Sequence, residues 1–204
     1  MRQADRYLKG EQLTVKIEEL NGDLPQPFEY GNVFAREEVG GRPRLRVGVN
    51  EAQDATVASL ARGLRGPFQL LYVLHTTRTG AQLGRYESPE LTSRDVEEFL
   101  REFGRFFCED SRHDLWVRSH DDDATIVLDR HNLIYAYGPL ELFERELKSS
   151  GAHEGEPAVL GAHVHHYHPA WDDMERRMLE RFDWQISPLQ PSDVQFDPER
   201  DRSR

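Results

Sequence analysis

The run FQLLYVLH, Phe68 to His75, decides the fold class. It is almost continuously apolar, too short for a helix of ordinary length, and preceded by the turn dipeptide Gly66-Pro67. A run of that kind reads as a central strand buried on both faces. The fold must then supply strands on either side of it and helices to cover it.

The flanks provide both. Upstream, LTVKIEEL alternates Leu13, Val15 and Ile17 with polar neighbours, and RLRVGV places Leu45, Val47 and Val49 inward with Arg44 and Arg46 outward. Each is a half-buried strand pattern. Between these strands and the central one, Asp54 caps a short helix whose stripe is Val57, Leu60, Ala61 and Leu64. Gly66-Pro67 stops it.

Downstream, residues 94–108 form the clearest helix. Thr92 and Asp95 make a capping-box start, and Val96, Phe99, Leu100, Phe103, Phe106 and Phe107 share one wide face. LWVR, TIVL and LIYAY follow as strands, the last two joined by a hairpin loop at Asp129-Arg130-His131-Asn132. Pro139 opens a helix with Leu140, Phe143 and Leu147 inward and Gly151 beyond its end. A strand is expected at about 158–167. A last helix over roughly 170–183 would turn Trp171, Met174, Met178 and Phe182 inward.

This order predicts an α+β fold: a two-layer sandwich of a mainly antiparallel sheet with helices packed on one face. A ferredoxin-like βαββαβ unit is one arrangement of the part from residue 68 onward. Residues 1–187 are expected to form one domain, its first ~12 residues loose. The Pro- and charge-rich stretch 188–204 reads as a flexible tail.

Composition narrows the function. The chain has 204 residues and a formal net charge of −11. Residues 101–204 carry 22 acidic against 13 basic side chains, whereas residues 1–50 balance. An acidic half repels phosphate backbones, which disfavours nucleic acid and suits a basic protein partner, bound cations or plain solubility. No apolar run approaches a membrane span, and the first residues lack a signal-peptide core. With Cys108 as the single cysteine, the expected setting is the reducing cytoplasm. No nucleotide-binding glycine loop, Gly-x-Ser-x-Gly, Cys-x-x-Cys or His-Glu-x-x-His occurs. Cys108 in RFFCED has His113 five residues on, yet a buried cysteine is usually an inert small hydrophobe.

Chemistry concentrates in GAHVHHYHPAWDD, Gly161 to Asp173, with four of the nine histidines in six positions. Strand alternation puts Leu160, Ala162, Val164 and His166 on the core side and His163, His165 and Tyr167 on the other. Two imidazoles at i and i+2 can share one cation, with His168, Asp172 or Asp173 completing the set. Zn²⁺ or Fe²⁺ would suit such ligands, in a hydrolase or an oxygenase. The competing expectation is a polar outer strand face with no metal.

Two other stretches suggest recognition. Asp121-Asp122-Asp123 lacks the glycine and glutamate of a Ca²⁺ loop and reads as an exposed acidic turn. Arg130 and His131 at the hairpin tip, followed by Tyr135 and Tyr137 on one strand face, offer anchors for a partner. The sequence therefore supports first a non-enzymatic cytoplasmic interaction protein that binds a basic partner, like an immunity protein or a regulatory adaptor, without a cofactor. Second comes a metal-dependent enzyme built on His163 and His165. Edge strands and tyrosines would serve a homodimer equally well.

Overall fold

The computed structural model describes residues 14–193. Residues 1–13 and 194–204, which include the expected loose start and most of the expected tail, lie outside the described residues.

The fold is α+β. In chain order the elements are β1 (Ile17–Asn21), β2 (Leu24–Pro27), β3 (Val33–Val39), β4 (Arg42–Gly48), α1 (Gln53–Arg62), β5 (Phe68–Leu74) and β6 (Gly84–Glu87). There follow α2 (Ser93–Glu109), β7 (His113–Ser119), β8 (Ala124–Leu128), β9 (Leu133–Tyr137), α3 (Leu140–Ser149), β10 (His153–Glu154) and β11 (His163–His165). A 3₁₀ turn at Pro169–Trp171 leads into α4 (Asp172–Leu179), and β12 (Gln185–Ser187) comes last. Among the described residues no helix is long and apolar enough to cross a membrane.

Nine strands form one sheet in the order β10-β3-β4-β9-β8-β7-β5-β6-β12. Every pairing is antiparallel except that of β10 with β3. Local chemistry explains the hairpins. Val39 pairs with Arg42, so Gly40-Gly41 is a two-residue turn, and both glycines have positive φ. Turns of this kind match the twist of the flanking strands and need residues that tolerate positive φ.

The central strand is as expected: from Leu70 to Leu74, β5 is buried on both faces. Its Leu70, Tyr72 and Leu74 join Leu115 and Val117 of β7, Ile126 and Leu128 of β8, and Ile134 and Ala136 of β9 in one core. The apolar stripes of α1 (Val57, Leu60), α2 (Phe99, Phe103, Phe107) and α3 (Phe143, Leu147) belong to the same cluster. The capping box of α2 is present, with the Asp95 amide donating to Thr92 Oγ1 and the Thr92 amide donating to Asp95. Gly104 lets α2 approach α1: a Cβ there would sit 2.7 Å from Asp54 Cβ.

Three expectations change. The strand order is not the interleaved one of a βαββαβ unit, because β5, β7, β8 and β9 run as successive antiparallel neighbours. The strand after α3, β10, lies at the far edge beside β3. The strand expected at 158–167 shrinks to His163–His165 and leaves the large sheet, pairing with β1 in a second sheet of order β11-β1-β2. A strand extends only where a neighbour takes its backbone hydrogen bonds, and β1 pairs with just three residues there. Ala162, although its carbonyl accepts from Leu20 of β1, is exposed, and Val159 is 81% exposed. The last helix also ends early, at Leu179, so that Gln185–Ser187 can pair with β6. Phe182 nevertheless stacks on Phe99 at 5.7 Å.

The start of the expected tail is tied down. Asp193 is buried, and its carboxylate accepts from Arg85 at 2.6 Å. Its carbonyl accepts from Arg130 at 2.7 Å. Arg112, nearby in the chain fold, is fully buried and held from all directions. It makes a two-pronged pair with Asp110 (2.7 and 2.9 Å) and donates to Glu175 (2.7 Å), Asp172 (3.2 Å) and the His168 carbonyl (3.1 Å). This network fixes α4 to the start of β7.

Candidate metal centre

Three histidines from two separate parts of the chain meet in space. His131 stands in the loop between β8 and β9, and His163 and His165 stand on β11. One ligand nitrogen of each lies within 4.8 Å of the others. The ring centroids form a nearly equilateral triangle of 5.1, 5.0 and 4.9 Å.

The positions follow from local structure. Alternation along β11 puts His163 and His165 on the same face, opposite Glu19 and Ile17 of β1. The hairpin loop is organised by Asp129, which is buried. One of its carboxylate oxygens accepts the main-chain N–H of both His131 and Leu133 at 2.9 Å. Asn132 then turns the chain with φ 65° and donates its side-chain amide to the Cys108 carbonyl.

Two polar side chains bring these pieces together. Lys16, the residue before β1, sends its ammonium to the main-chain carbonyls of Asp129 (2.8 Å) and Phe107 (2.7 Å). Its own carbonyl accepts from His166 at 2.9 Å, just past β11. Tyr30 donates its hydroxyl to the His131 carbonyl at 2.8 Å. Lys16 therefore joins the small sheet to the hairpin of the large one. A cavity of about 380 Å³ between β1, β2 and the facing ends of α1 and α2 shares Ile17, Tyr30 and Asn132 with these supports.

The protonation pattern suits a cation. His163 Nδ1 lies 2.8 Å from the Gly161 carbonyl, which can only accept, so that ring donates from Nδ1 and, when neutral, has its lone pair on Nε2. His131 Nδ1 lies 3.2 Å from the Asp129 carboxylate, which leaves its Nε2 free in the same way. His163 Nε2 and His165 Nε2 are 3.2 Å apart. Two ligands on one tetrahedral Zn²⁺, with bonds of ~2.0–2.1 Å, stand about 3.3 Å apart. His165 is held neutral well below neutral pH, pushed down to about 3 by burial first and then by His131, His163, Arg130 and Lys16. Its Nδ1 is enclosed without a hydrogen-bond partner among the described residues.

The other expected ligands are placed elsewhere. His168 is engaged by the Val15 carbonyl at 2.8 Å and by Asp110 through its amide. Asp172 faces Arg112 and Arg78, and Asp173 is an exposed partner of Arg176. His166 turns to the other face and meets Glu18 at 2.8 Å. So the set His163, His165, His168, Asp172 and Asp173 separates, and the third imidazole is His131, which the sequence had placed among recognition residues.

Most of that recognition set is engaged within the fold. The Asp122 carboxylate accepts from the main-chain amide and the guanidinium of Arg65 at 2.6–2.9 Å, while Asp121 and Asp123 are exposed. Tyr135 lies under the Arg44 guanidinium at 4.1 Å, and Tyr137 accepts from Arg44 through its hydroxyl. Arg130 is held by Asp193 and, through its amide, by Asp114. Cys108 accepts from the Asp54 amide, and burial pushes its thiol up, which disfavours a thiolate at neutral pH. His113 is packed against Phe106 and Phe107 and is not its base.

Comparison of the chain with known family models, curated proteins and solved structures finds no match.

Proposed function

We propose that the protein binds a divalent transition metal, Zn²⁺ first, through Nε2 of His131, His163 and His165, and uses the remaining coordination position to activate water. The observation that carries this reading is the convergence of three imidazoles from two separate parts of the chain, two of them with Nδ1 turned to an oxygen acceptor. Three neutral ligands leave the full charge of the ion in place. An ion bound in that way lowers the pKa of its water to about 7. The class of reaction is then metal-assisted hydrolysis. Among the described residues no carboxylate joins the cluster, which favours zinc over the two-histidine, one-carboxylate Fe²⁺ arrangement of oxygenases. The scaffold is read as two layers, helices over one sheet face, and the setting as the cytoplasm.

The test is elemental analysis of untagged protein purified without chelator, beside a His163→Ala/His165→Ala double variant. The proposal expects about one transition metal per chain in the wild type and none in the folded variant. Protein without metal, and unable to take up added Zn²⁺, would end it. Docking of a basic protein on the acidic surface ranks second. The exposed Asp121 and Asp123 favour it, and an affinity that does not change with salt would exclude it.

A further inference from the structure

We infer that Asp129 is the positioning residue of the metal centre, fixing both the tautomer and the orientation of His131. The inference rests on the metal reading above and adds a residue that no cation would touch.

The carboxylate has two tasks, one on each oxygen. Oδ1 accepts the amides of His131 and Leu133 and so shapes the loop. Oδ2 faces His131 Nδ1 at 3.2 Å. A carboxylate has no proton to give, so the proton of a neutral His131 sits on Nδ1 and the lone pair on Nε2. Carboxylate-held histidines of this type are oriented and made more basic as metal ligands. His163 has only a main-chain carbonyl in this place, and His165 Nδ1 has no partner among the described residues. His131 is also the one ligand carried by the large sheet. Asp129 itself is anchored from the small-sheet side, because Lys16 donates to its main-chain carbonyl at 2.8 Å. The ring therefore inherits its position from both halves of the site.

The isosteric change Asp129→Asn separates the two tasks. The amide oxygen still accepts the His131 and Leu133 amides, but the NH₂ group cannot accept from Nδ1–H. His131 is then expected to shift toward the Nε2–H tautomer, which cannot ligate until it is reversed. The probe is Zn²⁺ itself, measured by competition with a chromogenic chelator, on wild type and Asp129→Asn. Zn²⁺ affinity should fall about 10–100-fold in the variant. Thermal stability without metal should stay near that of the wild type. Equal Zn²⁺ affinity in the two proteins would overturn the inference.

A second readout needs no variant. In the metal-free wild type near neutral pH, ¹⁵N NMR of the imidazoles should show His131 protonated on Nδ1. A ring protonated on Nε2 with Nδ1 bare would overturn the inference even if Asp129→Asn fails to fold. If wild type takes up no Zn²⁺ yet shows the Nδ1–H tautomer, the metal reading fails while the positioning geometry stands.

Discussion

His113 should make the protein lose stability on mild acidification, and the size of the loss can be worked out. The residue is 1% exposed on β7, with Phe106, Phe107 and Tyr72 rings at 4.4, 4.8 and 5.3 Å. Burial first, then the neighbouring Lys16, Arg112 and His75, pushes its pKa well below the ordinary 6.5. The folded ring therefore stays neutral while the unfolded ring takes up a proton as pH falls through 6.5. With more protons bound in the unfolded state, stability rises with pH and falls on acidification. For an unfolded value of about 6.5, the contribution lost between pH 7.5 and 5.5 is about 1.4 kcal/mol. In a domain of this size that lowers Tm by roughly 3–6 °C. The perturbation is His113→Leu, which keeps an apolar group of similar volume and removes the titration. Urea denaturation of both proteins at the two pH values gives the difference of differences, in which all other groups cancel. The wild type should lose about 1.4 kcal/mol more than the variant. Parallel losses would mean that the buried ring protonates in place, and the argument from burial would be wrong.

Two further outcomes follow from the core. Removing the cation in Arg112→Met strands Asp110 and Glu175 in a site with no solvent and should cost about 3–5 kcal/mol in chemical denaturation, whereas a loss under ~1 kcal/mol would show that the network is not charged as described. Gly104→Ala should destabilise by about 1–3 kcal/mol although alanine favours helices by up to ~1 kcal/mol, because its Cβ would meet Asp54 at 2.7 Å; a gain in stability would show that α1 yields freely.

Much of the scaffold was legible because its signals are local. The apolar run of β5, the capping box and phenylalanine stripe of α2, and the hairpin between β8 and β9 each carry their own chemistry within a few residues. The short or edge strands did not show. β2, β10 and β12 are exposed at every residue, so no buried apolar alternation marks them, and β6 is four residues long. The site was half legible for the same reason. His163 and His165 share a face through simple alternation, which the sequence states directly. His131 lies 32 positions earlier, and its arrival depends on Lys16 and Tyr30 crossing between sheets. The one local hint was Asp129 two residues before it, a carboxylate within reach of the imidazole. His168, Asp172 and Asp173 were nearer in sequence, but the buried Arg112 network takes up Asp172 and the His168 carbonyl.

The central claim is that two histidines of β11 and one of the β8–β9 loop make one metal centre, and Co²⁺ absorption tests it most directly. Co²⁺ would be titrated into untagged, metal-free wild type and into His131→Ala, the variant that removes the ligand supplied by the hairpin. The account predicts intense visible bands of low-coordinate Co²⁺ in the wild type, saturating near one equivalent and displaced by Zn²⁺, and their loss in a folded His131→Ala. Identical spectra in the two proteins, or the weak absorption of hydrated Co²⁺ in the wild type, would contradict it.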